Sequence, residues 1–572
     1  MNSLLIKCIT GLTSLAVLFS CTQKTIIPET GGTDGTQAQS KTVTALSITP
    51  DKITLKVGQT TQLTAKITPT DAECATLNWK SLGGYAKVDN NGLVTAMQEG
   101  IVLIRVYTPD QKVYAHCTVT VEKATEPGPG PLPTTYRTWE DTGADLPDYP
   151  TYTKVSSVSD FPRIDITWTT PSLRISDGEY TWVEGTVRFR DPKGMYCDEQ
   201  DSGVLQMRLR GRGNTTWNAE GGIKRPYKIK LSEHRKVFGM KGDKDWILLA
   251  DVQDPTMLRN AVALRIARMV SMPWTPKFRT AEVYFNGTYG GCYLLTEAKE
   301  TDRENKVPIT VVQPGQTEGG YYLEIDNKID GDRSFRTETF NKKIKFKDPE
   351  DPDDAQYEYI TGIVNEVERL LKERSFDPET GYQSLTDLYT FIGNYIVQEL
   401  TMNVDGGMRL STYFAKDKDT KLFMPMVWDF DLSLGNCSYL QHDFALPVDQ
   451  AGPEGWLIKI RGGSFEFGDR DGSAKSYYQY MFEDEHFVAA LKERWKLVKP
   501  RLDKIPAYID QMVEYNKLAY DHNVSGGKNP RAKKSKNDPP ESFTSWSEAV
   551  AYMKDFYTKR LAWLDTAINE EL

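Results

Sequence analysis

Cysteine is scarce, with seven in 572 residues. None forms a C-x-x-C pair, so the chain carries no zinc-ligating signature and no dense disulfide framework. Two of the seven, Cys8 and Cys21, fall in the N-terminal leader, leaving Cys74, Cys117, Cys197, Cys292 and Cys437. Basic residues do not dominate either. Lys and Arg number 70 against 79 Asp and Glu, a net charge of −9, which argues against nucleic acid as the main partner. The one basic run, Lys533-Lys534-Lys536, sits among Gly, Pro and Asn and reads as a solvated face. The apolar stretch Leu12 to Phe19 is too short for a stable membrane-spanning helix.

Hydrophobic residues make up 39% and charged residues 26%, a globular composition with enough apolar side chains for a sizeable core. The length predicts several domains. Lys7, the apolar stretch and Leu18-Phe19-Ser20-Cys21 resemble a bacterial lipoprotein signal. By that resemblance residues 1–21 are a leader, and Cys21 becomes the lipidated first residue. The polar stretch 22–42 is then a tether that holds the folded part away from the bilayer. The expected location is the cell envelope, lipid-anchored at the outer membrane or cell surface. Export would permit a Cys74–Cys117 bridge, which the sequence leaves open.

Residues 43–122 alternate in short segments: 46–48, 53–55, 61–65, 77–79, 86–88, 93–95 and 116–121. Pro50-Asp51, Val57-Gly58, Asn90-Asn91-Gly92 and Glu99-Gly100 separate them as turns. This predicts an all-β sandwich. The residues L-K-V-G-Q-T-T-Q-L-T-A-K-I-T-P and A-K-V-D-N-N-G-L-V-T-A resemble the bacterial Ig-like domains of group 2. Such domains serve as spacers or adhesive modules, and a spacer is expected here.

Residues 123–150 form a Pro/Gly-rich linker stiffened by E-P-G-P-G-P-L-P. Residues 151–572 read as one large α+β domain, β-rich first and helix-rich later, the outline of two lobes with a cleft. Strands are expected at 163–168, 180–190, 206–210, 224–231, 246–250, 281–285, 289–296 and 321–325, with Asn286-Gly287 as a hairpin turn. Helices are expected over 255–269, 357–374, 385–402, 484–516 with a break near Pro500 or Pro506, and 545–569 behind a Ser545-x-x-Glu548 capping box. Asp254 is expected to cap the first of these, with Arg259 structural.

The chain is organised around Asn403 to Asn436. Asp405 meets Gly406-Gly407, through which a helix cannot continue. Residues 410–414 and 422–428 then read as the two strands of a hairpin, and Asp429 and Asp431 follow at its end. On a regular strand both would face one side, with Phe430 facing the core. Clustered carboxylates repel, so one carries a raised pKa or a cation sits between them, and hard oxygen ligands select Mg²⁺, Mn²⁺ or Ca²⁺. A turn built on Gly211 and Gly213 would expose N–H groups that cradle phosphate. Lys228 and Lys230 share one face of the following strand, where an ammonium pairs with a phosphate.

R-G-R-G-N-T-T-W with K-R-P-Y-K-I-K-L, D-W-I-L-L-A-D with D-P-T-M-L-R-N, V-Y-F-N-G-T-Y-G-G-C-Y-L-L-T-E, N-V-D-G and M-V-W-D-F-D occur in order. Together they resemble the CotH family, which has a divergent protein-kinase-like fold. The resemblance implies transfer of phosphate from ATP, with Mg, Mn or Ca, to Ser or Thr of an exported protein. It makes Asp405 the catalytic Asp, Asp429 the metal-binding Asp and Asp431 a second metal contact. Arg212, Lys228, Lys230 and Glu297 are carried over as cofactor-binding positions, with Glu297 hydrogen-bonding at a hinge. The sequence departs from kinase-like sites at Arg409, Leu410 and Ser411, where no Asn follows Asp405, and the 255–269 segment holds no Glu. The alternative expectation is an inactive structural, adhesive or glycan-binding envelope protein.

Overall fold

Alternation of inward and outward side chains builds the first unit. Its strands are β1 (Ala45–Thr49), β2 (Lys52–Lys56), β3 (Thr60–Gln62), β4 (Thr64–Thr68), β5 (Asn78–Ser81), β6 (Ala86–Val88), β7 (Leu93–Ala96), β8 (Gly100–Tyr107) and β9 (Tyr114–Glu122). They pair as β2-β9-β8-β5, β3-β7-β6 and β1-β4. Val102, Ile104 and Val106 of β8 point into a core with Val94, Val119 and Val121. Strand β8 was not expected from the sequence. The 61–65 segment splits at Leu63, whose N–H bonds to the Gly92 carbonyl instead of continuing a ladder. Cys117 is a buried free thiol.

This computed structural model describes residues 42–72, 76–122, 153–169, 175–176, 179–213, 215–218, 222–302, 304, 306–326, 333–436, 452–459, 477–528 and 543–572. The leader with Cys21, tether residues 22–41, the linker 123–150, Cys74, Cys437 and Lys533-Lys534-Lys536 lie outside them. The chain divides into two compact units, Met1–Gly128 and Pro129–Leu572.

The second unit opens with β10 (Arg163–Trp168), β11 (Ile175–Ser176), β12 (Glu179–Tyr180), β13 (Val183–Arg190), β14 (Leu205–Gly211), β15 (Tyr227–Val237), β16 (Met240–Leu249), β17 (Phe278–Phe285) and β18 (Thr288–Glu297). Seven of them close a barrel in the order β10-β13-β14-β15-β16-β18-β17. The closing pair, β10 with β17, is parallel, and the others are antiparallel. The inward set Ile164, Ile166, Val187, Leu209, Ile229, Trp246, Leu248, Val283 and Leu295 fills the barrel. Asn286 and Gly287 both take positive φ, 50° and 79°, as a two-residue hairpin turn requires.

Beyond the barrel lies a second sheet of β19 (Tyr321–Ile325), β20 (Ser334–Arg336), β21 (Lys343–Asp348) and β22 (Thr412–Lys416), ordered β20-β21-β19-β22. The helices are α1 (Thr215–Asn218), α2 (Arg259–Met269), α3 (Asp354–Lys372), α4 (Leu388–Thr401), α5 (Tyr477–Met481), α6 (Glu485–Leu502), α7 (Ile505–Ser525) and α8 (Trp546–Glu570). Helix α4 is buried along its whole length. It packs with α2, α6 and α8 around one apolar core that also takes in the second sheet.

Several expectations need correction. Helix α2 begins at Arg259 rather than at 255, because Asp254 accepts from the backbone N–H groups of Thr256, Leu258 and Arg259 and Met257 adopts φ 54°. Asp254 is therefore not the N-cap residue, which is Leu258, although its carboxylate accepts from the Leu258 and Arg259 N–H groups; Arg259 is buried structure, as expected. Pro500 lies inside α6, and the break falls between Leu502 and Ile505, with Pro506 in the first turn of α7. Ser545 caps α8 by accepting from the Glu548 N–H, and the Glu548 carboxylate reaches back chiefly to the Thr544 N–H and hydroxyl, with the Ser545 N–H a weaker contact. Gly211 and Gly213 do not make a tight turn between strands, since α1 lies in the connection from β14 to β15.

Candidate active site

The predicted hairpin is only half built. The first strand forms as β22, displaced to Thr412–Lys416. The 422–428 segment is no strand: it touches β22 through the isolated bridges Ala415–Phe423 and Thr412–Val427. Phe423 exchanges two backbone bonds with Ala415, and the segment's other bonds go elsewhere. Leu422 exchanges with Leu385 and Asp387, Met424 donates to the Thr390 hydroxyl, and Pro425, which has no N–H, accepts from Trp274. The segment lies along the N-terminal end of α4 instead of pairing out.

Asp429 and Asp431 therefore do not alternate on a regular strand. Asp429 has φ 71°, a left-handed backbone, and is exposed, whereas Phe430 and Asp431 are buried. Phe430 does face the core, as expected. Helix α4 ends at Met402 in the left-handed conformation, and the chain turns into Asn403, Val404 and Asp405. Asn403 holds the two turns together: its Nδ2 donates to the Asp429 carbonyl at 3.1 Å, and its Oδ1 accepts from the Asp405 N–H at 3.2 Å. From the barrel side, Asn260 of α2 donates to Asp251 at 2.9 Å and accepts from the Phe430 N–H at 2.9 Å. Arg259 donates to the Ser433 and Leu434 carbonyls.

These bonds bring five carboxylates into one electrostatic neighbourhood. Burial and the Asp429, Asp405, Asp251 and Asp254 charges push the Asp431 carboxyl well above its usual range. Burial pushes Asp405 up to about 6; Arg409, donating to Oδ1 at 3.1 Å, only partly offsets this, and Asp429 adds to it. Asp251 is pushed up to about 7 by burial and Asp254. Among the described residues no donor reaches the Asp431 carboxylate, although its residue is 7% exposed. A largely buried carboxylate facing like charges favours its protonated form or a nearby cation.

A basic cluster adjoins this acidic one through Trp428. Lys299 stands 5.0 Å from the Trp428 ring centre and 4.8 Å from that of Tyr413, and Arg212 stands 5.8 Å from Trp428. Burial, with Lys347, Arg212 and Lys345 nearby, brings the Lys299 ammonium down to about 8 despite Glu324. Glu324 is held well below the usual range: burial alone would raise it, but Lys299, Lys347, Lys345 and the Tyr413 hydroxyl outweigh that.

The sequence-predicted residues divide accordingly. Asp405, Asp429 and Asp431 lie near enough to shift one another's charge, but their oxygens do not gather as a trio within 4.8 Å; Arg212 stands over the neighbouring Trp428. Lys228 and Lys230 lie on the outer face of the barrel in a different network. There Lys228 pairs with Asp245 at 2.8 Å and Glu300 at 3.0 Å, Lys230 with Asp245 at 3.7 Å, and Lys306 with Glu300 and Asp243. Asp243, Asp245 and Glu300 are the one carboxylate trio among the described residues with oxygens within 4.8 Å of one another. Lysines already neutralise that trio. Glu297 is buried at the end of β18 and accepts from the Lys277 N–H at 2.8 Å, with burial raising its pKa.

Sequence reasoning missed Lys299, Glu324 and Asp251 as members of the site. Asp251 carried a readable signal: an apolar strand that ends in Asp, the same pattern as Trp428-Asp429. Lys299 carried none, because E-A-K-E after a strand looks like a solvated turn.

A β-barrel joined to a helical layer, with an acidic and a basic cluster meeting at one tryptophan and an all-β unit ahead, makes this a multidomain α+β protein. The chain belongs to the CotH kinase protein family, whose model matches residues 209–564. The bacterial Ig-like domain (group 2) matches residues 42–119, which marks an extracellular or envelope protein. Family membership points to kinase-like use of nucleotide and metal. No helix among the described residues is long and apolar enough to cross a membrane.

A lacto-N-biosidase of Bifidobacterium bifidum is 37% identical over 98 residues, covering 17% of this chain and 9% of that protein. The chain thus spans under a tenth of that relative. Among solved structures, surface layer protein SbsC domains 4–9 is 12% identical with TM-score 0.13, covering 36% of this chain and 30% of that one. Human protocadherin-24 EC1-2 is 15% identical with TM-score 0.12, covering 29% and 96%. Neither likeness defines the fold.

Proposed function

We propose that the chain is a lipid-anchored phosphotransferase that moves the terminal phosphoryl group of ATP to a Ser or Thr hydroxyl of an exported protein. In this reading the barrel and the helical layer are the two lobes of a kinase-like domain, and Cys21 carries the anchor. The observation that carries the proposal is the Asp431 carboxylate, buried among Asp429, Asp405 and Asp251 and meeting no donor among the described residues. An all-oxygen donor set of this kind fits Mg²⁺, Mn²⁺ or Ca²⁺, with Asp429 and Asp431 holding the ion. When bound, such an ion neutralises phosphate charge.

The chain's own residues supply the rest. Arg409 fixes Asp405 through Oδ1, leaving Oδ2 to take the proton of the acceptor hydroxyl. Lys299 and Arg212 orient phosphate oxygens across the face of Trp428. An inactive scaffold is the second reading. It is favoured by Arg409, Leu410 and Ser411 standing where a kinase-like site keeps an Asn.

The test is labelled ATP with Mg²⁺, Mn²⁺ or Ca²⁺, using the full chain beside Asp405→Ala and Asp429→Ala. Metal-dependent labelling that both variants lose supports phosphotransfer. No nucleotide binding and no labelling with any of the three ions discards it.

A further inference from the structure

The carboxylate trio on the outer face of the barrel is fastened by lysines at every member. Glu300 is held at both oxygens: Lys228 of β15 reaches Oε1 at 3.0 Å, and Lys306 reaches Oε2 at 2.8 Å. The same two lysines are tied to β16, Lys228 to Asp245 at 2.8 Å and Lys306 to Asp243. Each lysine thus bridges Glu300 to a carboxylate of the barrel wall. Burial opposes the charge on Glu300, yet Lys306 and Lys228 hold its carboxyl below the usual range, so it stays ionised at neutral pH. A network of several charges fixes geometry better than one isolated surface pair.

What the network holds is the residue next to it. The Glu300 N–H donates to the Ala298 carbonyl at 3.0 Å, which makes a three-residue turn with Lys299 at its apex. The Glu300 carbonyl in turn accepts from the Val307 N–H at 3.2 Å. With both flanks of the turn tied down, the apex side chain is aimed away from the barrel wall. Lys299 packs against the Trp428 and Tyr413 rings and reaches Glu324 at 3.5 Å. The ion network on the barrel and the basic cluster beside Asp429 therefore share one turn. We propose that Lys228 and Glu300 are positioning residues: anchored to β15 and β16, they aim Lys299 at the face of Trp428, and Lys228 itself meets no phosphate. The consequence for ATP rests on the phosphotransfer reading; the placement of Lys299 does not.

The first test needs no nucleotide. The full chain is treated with limiting acetic anhydride, and mass spectrometry reads the acetylation rate of Lys299 against the exposed Lys559 in the same sample. Glu300→Gln keeps the Lys228–Asp245 and Lys306–Asp243 pairs, so the barrel wall stays neutralised, and thermal melts check that the variant is folded. It should raise the relative rate at Lys299 at least about threefold, the least coupling expected within one network. Lys228→Met should do the same, the double variant should add little, and Lys228→Arg should stay near the parent. Calorimetry with ATP is the second test. Glu300→Gln and Lys228→Met should each weaken ATP binding, but neither should weaken it further in the Lys299→Met background. An unchanged Lys299 rate in folded Glu300→Gln, or a further loss of ATP affinity from Lys228→Met in the Lys299→Met background, would overturn the proposal. A parent that binds no ATP, beside a raised Lys299 rate in the variants, would sink the phosphotransfer reading and leave the positioning role supported.

Discussion

The Asn403 side-chain amide donates to the Asp429 main-chain carbonyl at 3.1 Å. This one bond joins the turn that ends α4 to the turn that follows Trp428, and so sets Asp405 against Asp429. Two segments that are separate in sequence share a carboxylate cluster because of it. The charge that cluster carries makes the first prediction.

In metal-free protein, Asp431→Asn should raise the melting temperature at neutral pH. The sign follows from the folded-state pKa values. Asp431, Asp251 at about 7 and Asp405 at about 6 are all raised above the usual carboxyl value. Each contributes stability fully present below about pH 4, where both states are protonated, and loses it as pH rises toward the folded value. Thermal melts in chelator from pH 4 to 8 should therefore fall more steeply for the parent than for Asp431→Asn. Added Mg²⁺ should raise the melting temperature of the parent alone. Parallel pH profiles for the two proteins would contradict this.

The second prediction concerns Lys299. Its ammonium is brought down to about 8, so its charge is lost as pH rises through that value. If Lys299 holds a phosphate oxygen, ATP affinity measured by calorimetry should decline above pH 8. Lys299→Arg, charged throughout, should flatten the decline. Lys299→Met should lose about tenfold at pH 7, the worth of one charge-assisted hydrogen bond.

How far the sequence discloses this arrangement differs from element to element. The β17–β18 hairpin is legible because Asn286-Gly287 is local chemistry. The barrel is not, since its closing contact pairs β10 with β17 across more than a hundred residues of chain. Strand β21 alternates Ile344 and Phe346 with lysines, yet the reason Lys345 and Lys347 gather there is Glu324 on a neighbouring strand. Asp429 and Asp431 were legible as neighbouring carboxylates flanking a core Phe430, but their strand geometry was not. Pro425 and the bonds taken by Leu385, Asp387, Thr390 and Trp274 pull the segment off the ladder.

Arg259 makes a third prediction. It is fully buried, pairs with buried Asp254 and donates to Ser433 at 2.8 Å and Leu434 at 3.2 Å. Arg259→Leu leaves Asp254 buried without its cation and two carbonyls without their donor. A loss of about 3–5 kcal/mol is expected from chemical denaturation, with the midpoint displaced to lower denaturant. Asp254→Asn, which keeps an acceptor oxygen for the helix-end N–H groups, should cost less.

Gly406 makes the last. A Cβ added there would lie 1.9 Å from the Oε1 of Gln398 and 2.4 Å from its Cδ. Gln398 is buried in α4, so its side chain has little room to withdraw. Gly406→Ala must therefore shift the turn that carries Asp405 or expel the Gln398 amide, at a cost of about 1–3 kcal/mol. The paired variant Gln398→Ala/Gly406→Ala removes the obstructing amide and separates these effects. If the close approach serves to place Asp405, Gly406→Ala should abolish metal-dependent labelling and the pair should recover part of it. If the approach matters only for packing, the melting temperature should move in both proteins while labelling follows neither substitution.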